Sequence, residues 1–165
     1  MADGHISVIP QSDAYPLSSI AKLYVALVDA IKGYNTMFEK AEPELISSLT
    51  PFSALHQRHA TELSAILHDN GVMPAEDGSI MGMVHETVVS IRAMFGDLDL
   101  DALPAVIDGE DALVAVYQDT LDDIAATRDV QLNGNTSPLA ERLKSHMFEL
   151  QSAISLARTH IQHTS

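Results

Sequence analysis

Apolar residues recur at three- and four-residue spacing through four long stretches, the period of helices that bury one face. Leu17, Ile20, Tyr24, Leu27, Ile31, Tyr34 and Phe38 mark a stripe and predict a helix over 17–41. A second helix is expected over about 43–70. Its stripe is Leu45, Leu49, Phe52, His56, His59, Leu63 and Ile66, with Pro43 in the first turn and Asn70-Gly71 as a stop. A third covers about 101–128 through Leu103, Ile107, Glu110, Val114, Tyr117, Leu121 and Ile124. After the turn signal Asn133-Gly134-Asn135, Thr136-Ser137-Pro138 opens a fourth helix to about 163. Leu139, Leu143, His146, Leu150, Ala153, Ala157 and Ile161 are expected to face inward along it. A shorter helix over 79–95 ends at Gly96. No strand-like alternation of useful length occurs, so the expected fold class is all-α.

Two pairs of short words repeat. Ala26-Leu27-Val28-Asp29-Ala30-Ile31 runs parallel to Ala105-Val106-Ile107-Asp108-Gly109-Glu110, and His59-Ala60-Thr61-Glu62-Leu63 to His146-Met147-Phe148-Glu149-Leu150. A helical hairpin used twice predicts a four-helix bundle, with the short extra helix in the one long crossover between hairpins. Residues 1–16, with Gly4, Pro10 and Pro16, are expected to be a loose arm, and 17–165 one bundle domain. The apolar residues Met81, Val84, Val88 and Ile91 exceed one stripe and predict a partner surface, hence a homo-oligomer.

Nine Lys and Arg stand against 23 Asp and Glu, a formal charge of −14, with no basic run. That argues against a nucleic-acid partner and against binding an anionic membrane surface. No apolar run approaches the roughly 20 residues of a membrane span. Residues 1–16 lack the basic start and apolar core of a secretory signal, so a cytoplasmic location is expected. There is no cysteine, which excludes disulfides, thiolate nucleophiles and cysteine-ligated metals.

Chemistry concentrates in polar residues on apolar stripes: His59, Glu110 and His146, with His56 one turn before His59. Imidazoles and a carboxylate converging from several helices suit iron, zinc or manganese, so His56, His59, Glu110 and His146 form the candidate metal set. Tyr24, Tyr34 and Tyr117 point inward and offer hydroxyls to such ligands. The same residues are equally those of a metal-free hydrogen-bonded core, or of tips reaching a solvent-filled gap, and both readings stay open here. Glu62 and Glu149 follow each histidine by three residues; solvated positions are expected for them in preference to orienting the imidazoles. Asp29 and Asp108 fall toward the polar face, and His68, His85, His160 and His163 show no convergent spacing. No serine sits in a strand-to-helix elbow, so a Ser-His-Asp set is not arguable.

The words Asp29-Ala30-Ile31-Lys32-Gly33-Tyr34, His59-Ala60-Thr61-Glu62-Leu63 and Gly109-Glu110-Asp111 followed by Tyr117 resemble a ferritin-like bacterial family of unknown function. Its members are often labelled four-helix-bundle or stress-type proteins. The wider ferritin-like pattern places a glutamate on each of two helices and Glu-x-x-His on the other two. By that resemblance Glu110 matches one glutamate, and His59 and His146 the two histidines. Ile31 stands in place of the other glutamate, and His56 and Leu143 where each Glu-x-x-His begins. The resemblance therefore implies a degraded di-metal site: one mononuclear metal at most, no catalytic residues, and di-iron oxidoreductase chemistry the weakest alternative. A non-catalytic structural or interaction protein is the competing expectation.

Overall fold

The computed structural model describes residues 16–73, 98–129 and 137–164. They form four long helices: α1 (Leu17–Phe38), α2 (Pro43–Asp69), α3 (Leu103–Asp129) and α4 (Pro138–Thr164), with one 3₁₀ turn over Leu100–Ala102 before α3. The all-α bundle expected from the periodicity is the fold. The helix expected over 79–95, with its Met81, Val84, Val88 and Ile91 face, lies outside the described residues, as do residues 1–15 and the turn Asn133-Gly134-Asn135. Among the described residues no helix is long and apolar enough to cross a membrane.

The first helix ends three residues before its expected limit. Leu98 is the cause: its N–H donates to the carbonyl of Lys40 (3.0 Å) and its carbonyl accepts from the N–H of Glu42 (2.8 Å). Those bonds hold the 39–42 turn open as a bridge between Ala41 and Leu98. Glu42, before Pro43, is extended (φ −67°, ψ 156°), as the proline ring demands of its predecessor. Pro51 lies within α2 at an exposed position and contributes no N–H to the carbonyl of Ser47, which is itself exposed. α3 is entered through Asp99, whose carboxylate accepts the Asp101 N–H at 2.9 Å.

The end of α2 is a Schellman motif. The N–H of Val72 bonds the carbonyl of Leu67 and that of Gly71 the carbonyl of His68, both at 2.9 Å. Gly71 takes φ 78°, a left-handed conformation that favours glycine.

Pairing directions follow from which residues meet. Ser19 bonds Asp123 and Tyr34 bonds Glu110, so α1 and α3 are antiparallel. His56 meets Glu110 and His59 meets Tyr117, so α2 and α3 run the same way. His59 meets Glu149 and His146 meets Glu62, so α2 and α4 are antiparallel. α1 packs on α2 and α3, α4 on α3 and α2, leaving α2 and α3 across a diagonal. Because α2 and α3 share a direction, the chain must return over roughly 40 Å of bundle between them, at 1.5 Å per helical residue. Leu98, against the start of α2, marks where that return ends.

Leucine is the commonest residue of the core: Leu23, Leu27, Leu45, Leu49, Leu63, Leu67, Leu143 and Leu150 are all fully buried. On α4 the expected stripe drifts. Ala153, Ala157 and Ile161 are only half-buried, whereas Ile154 is in the core.

Replacing Gly71 by alanine meets no atom within 4 Å, so its effect is purely conformational. The expected outcome is a loss of about 1 kcal/mol, read as a lower urea midpoint at unchanged slope.

Candidate functional site

Two polar groups sit one helical turn apart in this apolar interior. The first joins α1, α2 and α3. Glu110 is 4% exposed, Tyr34 2% and His56 fully buried. The Tyr34 hydroxyl and His56 Nε2 (3.0 Å) both donate to one oxygen of Glu110, Oε1. A carboxylate only accepts, so the proton between His56 and Glu110 belongs to Nε2. The Tyr34 ring stacks on Phe52 (6.4 Å, 10°) and leans against His56 (5.6 Å), which aims the hydroxyl. Burial, reinforced by the adjacent Glu110, pushes the Tyr34 phenol far above its ordinary value, so it stays a donor.

The second group joins α2, α3 and α4. The imidazoles of His59 and His146 lie face to face, 3.9 Å between centroids and 7° from parallel. His59 Nε2 donates to Glu149 Oε2 and His146 Nε2 to Glu62 Oε2, each at 3.0 Å. The bonds cross because the same His-x-x-Glu word lies on two antiparallel helices, which sets each histidine opposite the other's glutamate. With the His59 proton on Nε2, its Nδ1 accepts the Tyr117 hydroxyl at 2.9 Å. Tyr117 meets both rings edge-on, at 86° and 87°. Arg58 bonds Glu149, and Arg142 reaches Glu62 at 3.4 Å.

Electrostatics follow burial. Both imidazoles are almost wholly buried while their carboxylates are about a third exposed. Burial pushes His59 down to about 4, against the opposing pull of Glu149. It lowers His146 likewise, against the pull of Glu62. The hydrogen bond from His59 holds Glu149 below the usual carboxylate range. Burial raises Tyr117 well above an ordinary phenol. Two neutral stacked imidazoles between carboxylates are the result.

The four residues expected as one metal set thus divide: His56 with Glu110, His59 with His146. Among the described residues no three histidine, aspartate or glutamate side chains come together as a group able to hold a metal ion. Tyr34 and Tyr117 supply the hydroxyls expected of them. Glu62 and Glu149, expected in water, instead accept hydrogen bonds from the imidazole N–H groups. The shared i, i+3 spacing in both repeat words was the signal for that crossing. Arg58 and Arg142 carried no signal, because they do not occupy matching positions in the repeat.

An all-α bundle with a paired polar interior is the class this geometry defines. Residues 16–123 match the family described as Domain of unknown function (DUF2383), and the chain belongs to that family. The match takes in α1, α2 and most of α3, including Tyr34, His56, His59, Glu62, Glu110 and Tyr117, and stops before α4. No curated protein and no solved structure matches the chain.

Because the folded chain disfavours protonated His59 and His146, the unfolded chain binds more protons as pH drops below the ordinary histidine value of 6.5. The stability from these neutral imidazoles is complete above that pH and is lost toward about 4 for His59; below 4.5 the depressed Glu149 adds to the loss. Unfolding free energy is expected to fall by on the order of 1–2 kcal/mol between pH 7 and pH 5, measured by urea denaturation. The fall should shrink in His59→Gln; an identical pH dependence in both proteins would show that the imidazoles are not held neutral.

Proposed function

We propose that this chain is a ferritin-like bundle with no catalytic activity of its own, whose polar interior locks two hairpins together and whose role is structural or interactive. The ferritin-like reading draws on the directions of the helices, two antiparallel hairpins joined by one long crossover. The observation that carries the non-catalytic reading is the crossed pairing of His59 with Glu149 and His146 with Glu62. The Nε2 atoms of His59 and His146 and the carboxylate oxygens facing them are taken up by one another. Buried hydrogen bonds of fixed geometry between two helices favour the one packing that makes them.

The competing reading, a single iron, zinc or manganese ion on His56, His59, Glu110 and His146, draws on one feature. Glu110 Oε2, His56 Nδ1 and His146 Nδ1 are buried with no partner among the described residues. Such atoms are expensive to bury, by about 1–3 kcal/mol each, and a cation or water would relieve them.

Two measurements separate the readings. In a double-mutant cycle on Glu62→Ala and His146→Ala, the locking role predicts a coupling of about 0.5–3 kcal/mol in unfolding free energy; additive losses would remove the lock. Metal analysis after growth with iron, zinc and manganese is expected to find far less than one ion per chain. A stoichiometric ion, lost in both His59→Ala and Glu110→Ala, would establish the competing reading instead.

A further inference from the structure

We infer that the outward face of α4 is where two copies of this chain meet, antiparallel, about a twofold axis through Ser152. This rests on the interactive role proposed above and names its surface; the polar interior lies on the other side of the helix.

Ser145, Phe148, Ser152, Leu156 and Thr159 follow one another at three- and four-residue spacing, opposite the buried Leu143, His146, Leu150 and Ile154. All five are exposed. Phe148 and Leu156 are 70% and 74% exposed, two of the three large apolar side chains that stand in water among the described residues. They lie four residues to either side of Ser152, and Ser145 and Thr159 seven to either side. The order small, large, small, large, small therefore reads the same in both directions. A twofold interface requires one patch to complement itself. Here a half-turn about Ser152 sets Phe148 of each copy beside Leu156 of the other. Eleven residues to either side stand Glu141 and His163, so the same half-turn brings each copy's carboxylate to an imidazole of the other.

The hydroxyls on this face ask little of water. Ser152 donates to the carbonyl of Phe148 and Thr159 to that of Ser155, each at 2.9 Å, so burial would not strand their protons. Charged residues beside the face are engaged within the chain: Lys144 with Glu141, Glu149 with His59 and Arg58, Arg158 with Asp111. Charge also selects the occupant. At a formal −14, two copies repel unless they meet where neither presents a row of acids. α3 exposes Asp108, Asp111, Asp119, Asp122 and Asp123; the line from Ser145 to Thr159 holds no charge. A single helix face is smaller than the roughly 800 Å² that each partner gives to a stable complex, so the dimer forms with rising concentration.

Sedimentation equilibrium and cross-linking test the assignment. Wild type is expected to pass from one chain mass toward two over roughly 5–500 µM, more readily at higher salt, which screens the repulsion. Phe148→Ser/Leu156→Ser should weaken association roughly tenfold or more. The chain has no cysteine, so Ser152→Cys reports on its own position. It should be joined into dimers by a short bis-maleimide far faster than Ser47→Cys, exposed on α2. A wild type monomeric throughout, association unchanged in Phe148→Ser/Leu156→Ser, or equal cross-linking of the two cysteine variants overturns the inference. A lower urea midpoint in Phe148→Ser/Leu156→Ser with a monomeric wild type would assign the face to another segment of this chain and overturns it too. Should that variant fail to fold, the cross-linking comparison decides. A monomer with the Glu62–His146 coupling intact removes this surface and leaves the lock; a dimer with additive Glu62 and His146 losses does the reverse.

Discussion

The contact between α2 and α4 turns on one constraint: the two helices are antiparallel and carry the same His-x-x-Glu word. Where the two words stand at the same height, antiparallel neighbours with identical spacing bring the first residue of one word opposite the last of the other. Each imidazole then finds a carboxylate across the interface, and the two rings slide into a stack 3.9 Å apart. Slipping either helix by one turn would leave two buried imidazole N–H groups without partners, while the glutamates, about a third exposed, would turn to water. A leucine interior tolerates such slips, since leucine packs on leucine in many registers; the crossed pairs do not. Hydrophobic burial supplies the drive to fold, and the polar pairs select among the packings it would accept.

The interior is graded from core to surface. Tyr117 is fully buried, the imidazoles nearly so, the two glutamates are about a third exposed and the arginines more so. Charge therefore increases toward water, where it is least costly to hold, and the imidazoles between are kept neutral by burial. The Tyr34–His56–Glu110 group is built differently. Its carboxylate is buried outright, and both available donors converge on one oxygen, leaving the other bare. The duplication supplies a carboxylate on α3 but an isoleucine at the corresponding place on α1, so the two halves of the interior are unequal in charge.

Much of this was legible in the chain. Helix limits came within one to three residues, because stripes at 3.6-residue period and the Pro43, Gly71 and Pro138 punctuation mark them directly. The histidines and Glu110 announced themselves as polar residues on apolar faces, and each proved buried. Their grouping was not legible. A stripe gives the angle of a side chain about its own helix, not its height against another helix. A difference of one turn, about 5.4 Å, separates a converging set from two separate groups. Glu62 and Glu149 were misread for a related reason: residues at the edge of a stripe are solvated or paired according to what the facing helix offers.

The order of polar and apolar residues determined four helices, their inward faces and their punctuation, since those depend on contacts within a few residues along the chain. Tertiary structure alone decided that Leu98 cuts α1 short at the 39–42 turn, and that His59 and His146 pair with carboxylates on the opposite helix whereas His56, alone of the three, pairs with Glu110. The physical reason is range. Helix formation is read from neighbours three and four apart, whereas a hydrogen bond across 84 or 90 residues exists only once the packing of whole helices has fixed which heights coincide.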